Sequence, residues 1–259
     1  MSDVLLDATT IWHRELIRFW RRKARIVMSL VTPLVWMGLF AYGLQRTSIQ
    51  FNFGGQDYVS WTTPGIVAMG MLFTSIFSGM SIIFDRQFGL LKEILVAPVS
   101  RNAFVLGKGL GGMTTAMFQG VVLLIVASLV FGVRYTSPFG PVLGFVMALG
   151  VMALIGMSIV NLGVAIAARL DSHEVFMLVS NFLVMPMFFL SGALYPTTTL
   201  PLAFRAVIHL NPLYYGVDAL RFAILGAESA ELPFAVDVAV LVAFTAATTF
   251  LAGALFKRA

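Results

Sequence analysis

The sequence predicts an all-α integral membrane protein: six transmembrane helices, an N-terminal amphipathic interfacial helix, and a re-entrant helical hairpin between the fifth and sixth spans. Three observations carry that prediction. Of the 259 residues, 59% are hydrophobic and only 11% charged, against about 25% charged in a soluble domain. The apolar residues gather in six runs, at about 26–44, 62–84, 109–132, 142–168, 175–195 and 234–256, each near the roughly 20 residues a helix needs to cross a bilayer. The cations are also unevenly placed. With the N-terminus inside, 13 of the 17 Lys and Arg fall on one side, and only Arg46, Arg134, Arg205 and Arg221 on the other. That bias predicts that both termini are cytoplasmic; the expected location is the plasma membrane of a prokaryote. The net charge of +5 is thus explained by topology, and no nucleic-acid partner is expected.

Residues 1–25 form the first element. At helical spacing Leu5, Leu6, Trp12, Leu16, Phe19 and Trp20 share one face, and Arg14, Arg18, Arg21, Arg22 and Arg25 the opposite one. Such a helix lies in the membrane interface, its basic face free for acidic lipid or an acidic protein surface. The first apolar run opens only near Ile26, behind that basic stretch and with no small-residue cleavage site after it, so no signal peptide is expected.

The first span contains Pro33, and the second opens at Thr62-Thr63-Pro64, where proline suits a first helical turn. The third begins among glycines. Gly107 and Gly111 have the spacing that lets helices approach closely, as do Gly140 and Gly144 entering the fourth. After the fifth span, residues 191–226, with the re-entrant region at about 197–226, are too apolar for a solvated loop. They are also too rich in Pro196, Pro201, Pro212, Arg205, His209, Asp218 and Arg221 for a clean crossing. Two short helices, about 201–209 and 212–225, are expected there, broken at Asn211-Pro212 and dipping into the outer leaflet. Asp218 and Arg221 stand at a spacing that permits an ion pair.

Between the second and third spans lies a charged segment, DRQFGLLKEILVAPVSR, from Asp85 to Arg101. Tyr58–Phe84 before it and Gly109–Val133 after it hold no Asp, Glu, Lys or Arg. Taken as a helix over about 86–97, it sets Phe88, Leu91, Ile94 and Leu95 on one side and Lys92 and Glu93 on the other, with Pro98 as the stop. It is too short for a domain but long enough for a lever.

Much chemistry is missing. Zero cysteines exclude disulfides, thiolate metal sites and Cys nucleophiles. The spans carry almost no ionisable groups to relay protons or sodium; Asp237 stands near the outer end of the last. Gln119, Asn161 and Asn181 read as interhelical hydrogen-bonding groups. A P-loop is absent, and Gly107-Lys108-Gly109 fails its spacing. His173 beside Asp171 and Glu174 reads as a polar turn rather than a metal site. The 14 methionines, Met185 and Met187 among them, read as packing or greasy cavity rather than copper ligands. No metal site and no catalytic residue is expected, and any energy for transport has to come from another chain.

Two segments resemble a known family. The DRQFG…KEILVAPVSR segment is similar to the loop between the second and third spans of ABC type-2 transporter permeases. So is Leu190, Ser191, Gly192, Pro196, Leu200, Pro201, Asn211, Pro212, Leu213, Tyr215, Asp218 and Arg221 to that family's C-terminal pattern. The resemblance implies one transmembrane domain over 1–259. It also implies a coupling helix formed by Asp85, Arg86, Phe88, Gly89, Leu91, Lys92, Glu93 and Ile94, engaging a separate ABC ATPase in two copies. That partner would bind ATP and Mg; this chain would hold no cofactor and be no enzyme. A second permease subunit, expected to be an identical copy, would meet it along the first, second and fifth spans. Those spans carry Trp36, Met37, Phe40, Met69, Phe73, Phe77, Phe182, Met185, Phe188 and Phe189 as cargo path or seam. A seam so apolar fits export of a hydrophobic drug or lipid-like cargo. The alternatives are a lipid-linked glycan or lipooligosaccharide as cargo and, of a different class, an ATP-independent scaffold or assembly factor.

Overall fold

The computed structural model describes residues 2–43, 55–89, 100–137 and 139–256. Among them every regular element is helical. The ten α-helices are α1 (Ser2–Arg21), α2 (Lys23–Gly43), α3 (Tyr58–Ser78), α4 (Met80–Gln87), α5 (Arg101–Phe131), α6 (Pro141–Ala167), α7 (His173–Phe189), α8 (Leu202–His209), α9 (Pro212–Leu225) and α10 (Phe234–Phe256). Four segments are long and apolar enough to cross a membrane: α3 with α4 as one run, α5, α6 and α10. A fifth arises if Val4–Arg21 and Ile26–Phe40, bent by 72° to each other, count as one broken span. The apolar α7 has 17 residues, about 26 Å at 1.5 Å per residue. It is therefore short of the roughly 30 Å hydrocarbon thickness.

The centre of the bundle is α3, α5 and α6 in mutual contact, with α10 against α6, α9 between α3, α6 and α10, and α7 on the outside of α3. Their core joins Leu72, Ile76, Leu123, Met152, Ile155 and Leu220. A second cluster at the α1 end joins Ile11, Ile82, Phe104, Val164, Phe176 and Phe256.

Local chemistry sets the boundaries. Asp57 caps α3 by accepting from the Ser60 N–H at 3.2 Å. Ser100 caps α5 by accepting from Ala103 at 3.1 Å, so this helix starts eight residues before the apolar run that predicted it. The second span does not stop at 84 but continues through α4 to Gln87 after a break at Gly79. A Cβ at Gly79 would lie 2.4 Å from the Gly163 carbonyl carbon of α6, so the two backbones cross there without side chains between them. The fifth span, expected to reach 195, ends as a helix at Phe189. Ser191 turns its hydroxyl back to the Phe188 carbonyl, and Gly192 takes a positive φ of 65°, a conformation that opposes further helix.

Glycine spacing in α5 also finds its partner. A Cβ at Gly107 would sit 2.6 Å from the Ile11 Cβ, and one at Gly111 2.6 Å from the Glu15 Cβ. The helix that fits against them is α1. The expected pair of short helices after the fifth span is present as α8 and α9. Asn211 divides them, accepting from the Leu213 N–H at 3.1 Å and donating to the Met187 carbonyl at 2.6 Å.

Candidate functional site

The expected lever begins differently from its prediction. Asp85 and Arg86 complete α4 rather than open a new helix, and the chain turns at Phe88 and Gly89, where φ is 76°. A helix starting at Arg86 is therefore ruled out, because the left-handed turn at Gly89 interrupts it. Phe88 is 82% exposed and stacks 6.4 Å from Phe84. Leu91, Lys92, Glu93 and Ile94 lie outside the described residues.

The turn is anchored on two sides. Asp85 points inward to a buried charge hub. Lys108 of α5 donates to Asp85 Oδ2 at 2.7 Å, to Glu15 Oε1 of α1 at 2.8 Å and to the Ser81 hydroxyl of α4 at 2.9 Å. Arg18 donates to Asp85 Oδ1 at 3.2 Å, and Arg14 stands 3.7 Å from Oδ2. Lys108 and Asp85 are both buried. A buried ammonium with all three protons placed on acceptors is held firmly, because each bond is charge-assisted and shielded from water. On the other side Arg86 reaches the turn between α6 and α7. It pairs with Asp171 at 2.5 Å and donates to the carbonyl of Ala168 at 3.2 Å. Gln87 donates to the Asp171 carbonyl, and His173 lies 5.1 Å from the Phe84 ring. The five residues 85–89 are thus tied to α1, α5, α6 and α7 at once.

This arrangement corrects the reading of α1. Arg14 and Arg18 do not lie on a free basic face; they turn inward because Asp85 and Glu15 offer them partners beside Lys108. Trp12 likewise faces α5, its indole N–H donating to Thr114 at 3.1 Å. Arg21, Arg22 and Trp20 remain exposed, as do Leu5 and Leu6.

At the opposite end Arg221 is wholly buried. Its guanidinium lies 3.5 Å over the Trp61 ring and donates to the carbonyls of Trp61, Gly192 and Ala193. Asp218 turns to the Glu231 and Leu232 N–H groups, at 2.8 Å each, two backbone clamps in place of the ion pair with Arg221 that the spacing permits. Glu231 accepts from Thr197 and Tyr214. Tyr215 donates to the His209 carbonyl. Asp237 is buried at the start of α10, and its carboxyl finds no hydrogen-bond partner among the described residues. In the loop before α6, burial pushes the Tyr135 phenol up to about 12, so it stays a neutral donor to the Leu124 carbonyl.

The apolar residues assigned to a seam divide. Met37, Met69 and Phe188 are buried within the chain's own core. Trp36, Phe40, Phe73 and Phe77 are half-buried. Phe182, Met185 and Phe189 are exposed, Phe182 at 82%. Gln119 and Asn161 do bond across helices, to the Ser29 carbonyl at 2.8 Å and the Thr249 hydroxyl at 2.7 Å, whereas Asn181 is exposed. No cluster of three His, Asp or Glu that could hold a metal occurs among the described residues.

Sequence reasoning missed Lys108 and Glu15. The signal was present: a lone Lys inside a glycine-rich, otherwise apolar start of a span, facing a lone Asp at the end of the span before it.

A family model described as ABC-2 type transporter matches residues 7–225. The chain is 27% identical to the inner membrane transport permease YadH of Escherichia coli (strain K12), over 96% of this chain and 94% of that protein. It is also 27% identical to nodulation protein J of Rhizobium meliloti (strain 1021), over 96% of this chain and 92% of the other.

Proposed function

Because the chain belongs to the ABC-2 type transporter family, and is thereby a multi-pass membrane transport permease, we propose that it is the membrane subunit of an ATP-driven exporter. It lacks a nucleotide site of its own and receives work from a separate ABC ATPase through residues 85–101. The observation that carries this reading is the double anchoring of 85–89. Asp85 is locked to α1 and α5, and Arg86 to the α6–α7 turn. A push on the exposed Phe88 is therefore passed to α1 and α5 and to the α6–α7 turn rather than spent in bending a loop.

In this reading α2 and α7 join the four long spans to give six crossings, with both termini cytoplasmic. The helices α8 and α9 dip back from the outer side, where non-membrane-spanning backbone is tolerated because α9 is enclosed by protein. Two copies of the chain would meet along the exposed side of α7, through Phe182, Met185 and Phe189, with Trp36 and Phe40 of α2. The absence of charge on those faces favours a hydrophobic or amphipathic cargo, drug-like or lipid-like.

The test is the pair Phe88→Ala with Glu93→Ala. The tagged full chain, purified from its native membrane with whatever ATPase it holds, should lose that ATPase and its hydrolysis. A complex that keeps both, and still exports, refutes the coupling role.

A further inference from the structure

Beside the hub lies a cavity of about 380 Å³ bounded by α1, α2, α3, α4 and α5. Its lining holds three cations, Arg18, Arg22 and Lys108, against two carboxylates, Glu15 and Asp85. Both carboxylates are already engaged by Lys108 and Arg18, and Arg14 adds a fourth cation behind Asp85. The positive charge around the cavity therefore exceeds the negative.

Ser29, Ser78 and Thr115 also line the cavity, as do Phe19, Phe77 and Phe84 on its apolar side. A small free anion would gain nothing from three aromatic rings, and a neutral lipid nothing from Arg22. An amphiphile uses both. Its depth agrees: α1, whose Glu15, Arg18 and Phe19 line the cavity, also exposes Trp20, Leu5 and Leu6, the pattern of a helix lying at head-group level.

We propose that this cavity binds the phosphate-bearing head group of an anionic amphiphile drawn from the leaflet in which α1 lies. Arg22 and Arg18 take the phosphate, the hydroxyls its polar edge, and the aromatic wall the first part of the chains. That the bound amphiphile is cargo awaiting transport rests on the export function proposed above; the binding does not.

Native mass spectrometry of the detergent-solubilised full chain tests this with three separate probes: dioctanoyl phosphatidylglycerol, dioctanoylglycerol and inorganic phosphate. Phosphatidylglycerol should bind saturably, with a Kd roughly tenfold below that of dioctanoylglycerol, and inorganic phosphate should not bind at the same concentration. Arg22→Glu should raise the phosphatidylglycerol Kd roughly tenfold or more, Arg22→Gln less, and Arg134→Glu, at the far end of the bundle, not at all. Equal binding of the neutral diglyceride, equal binding of phosphate alone, or an unchanged Kd in both Arg22 variants each overturns the proposal. ATPase retention by the same preparation is read separately. Loss of the ATPase with lipid binding intact defeats the export reading and leaves the site standing, and the reverse result defeats only the site.

Discussion

Replacing Lys108 with Met removes the cation around which three helices meet and leaves volume nearly unchanged. Glu15 Oε1 and Asp85 Oδ2 touch one nitrogen, at 2.8 and 2.7 Å, so the two oxygens lie within about 5.5 Å of each other, where like charges repel by about 3 kcal/mol at an effective dielectric constant of about 20. Arg18 and Arg14, at 3.2 and 3.7 Å from Asp85, offset part of this. Loss of three buried charge-assisted bonds adds to it. A cost of about 3–4 kcal/mol follows, within the range for breaking a buried ion pair by one partner. Lys108→Met combined with Asp85→Asn should cost less than Lys108→Met alone, because the orphaned charge is gone, and the cycle should return a coupling of about 1–3 kcal/mol. Reversible unfolding of the purified chain in mixed micelles, followed by far-UV circular dichroism, measures both quantities. If Lys108→Met costs under about 0.5 kcal/mol and the coupling is zero, the hub contributes nothing and the anchoring argument fails.

Arg221→Lys should destabilise nearly as much as Arg221→Met, by about 2–4 kcal/mol, because an ammonium neither lies flat on Trp61 nor reaches three carbonyls from one plane; thermal unfolding of the two variants gives the comparison. Gly111→Val should detach α1, since its Cβ would overlap the Glu15 Cβ at 2.6 Å. Trypsin should then cleave at Arg21 or Arg22 far faster in the variant than in the parent. The chain has no cysteine, so single Arg22→Cys and Arg134→Cys variants map its orientation directly. A membrane-impermeant maleimide should label Arg134→Cys in intact cells and Arg22→Cys only after lysis; the opposite pattern inverts the topology.

The spans were legible because apolar length is additive along a chain: α5, α6 and α10 fall within a few residues of their predicted runs, apart from the polar first turns of α5. Punctuation was legible where one residue acts alone, as at Asn211-Pro212. What depends on pairing across the fold was not. The inward turn of Arg14 and Arg18 is invisible on a helical wheel, because the wheel assigns the basic face to solvent or head groups and only the position of Asp85 decides that part of it is covered. Met37, Met69 and Phe188 look the same in sequence whether they face a partner, lipid or their own core. The wrong start of the lever has a simpler cause. Gly89 was counted as one residue of a helix, although a glycine just past a polar helix end is as good a signal for a stop.

That stop changes how the segment would work. A continuous helix from 86 would transmit force along its own axis and could swing about either span alone. With α4 ending at Gln87 and a left-handed turn at Gly89, the rigid piece is instead the end of the second span, braced by Lys108 on one side and the Ala168–Asp171 turn on the other. The two braces differ in strength. The Lys108 side is buried and survives salt, whereas Asp171 is 87% exposed and contributes little on its own. Motion imposed at Phe88 should therefore carry α1, α4 and α5 as one body and slip first at the α6–α7 turn. Asp171→Asn should weaken coupling between ATP hydrolysis and transport while leaving stability within about 0.5 kcal/mol of the parent. Lys108→Met should lower both together. Transport per ATP in reconstituted vesicles separates the two, and equal coupling loss in both variants would mean that the lever has no preferred hinge.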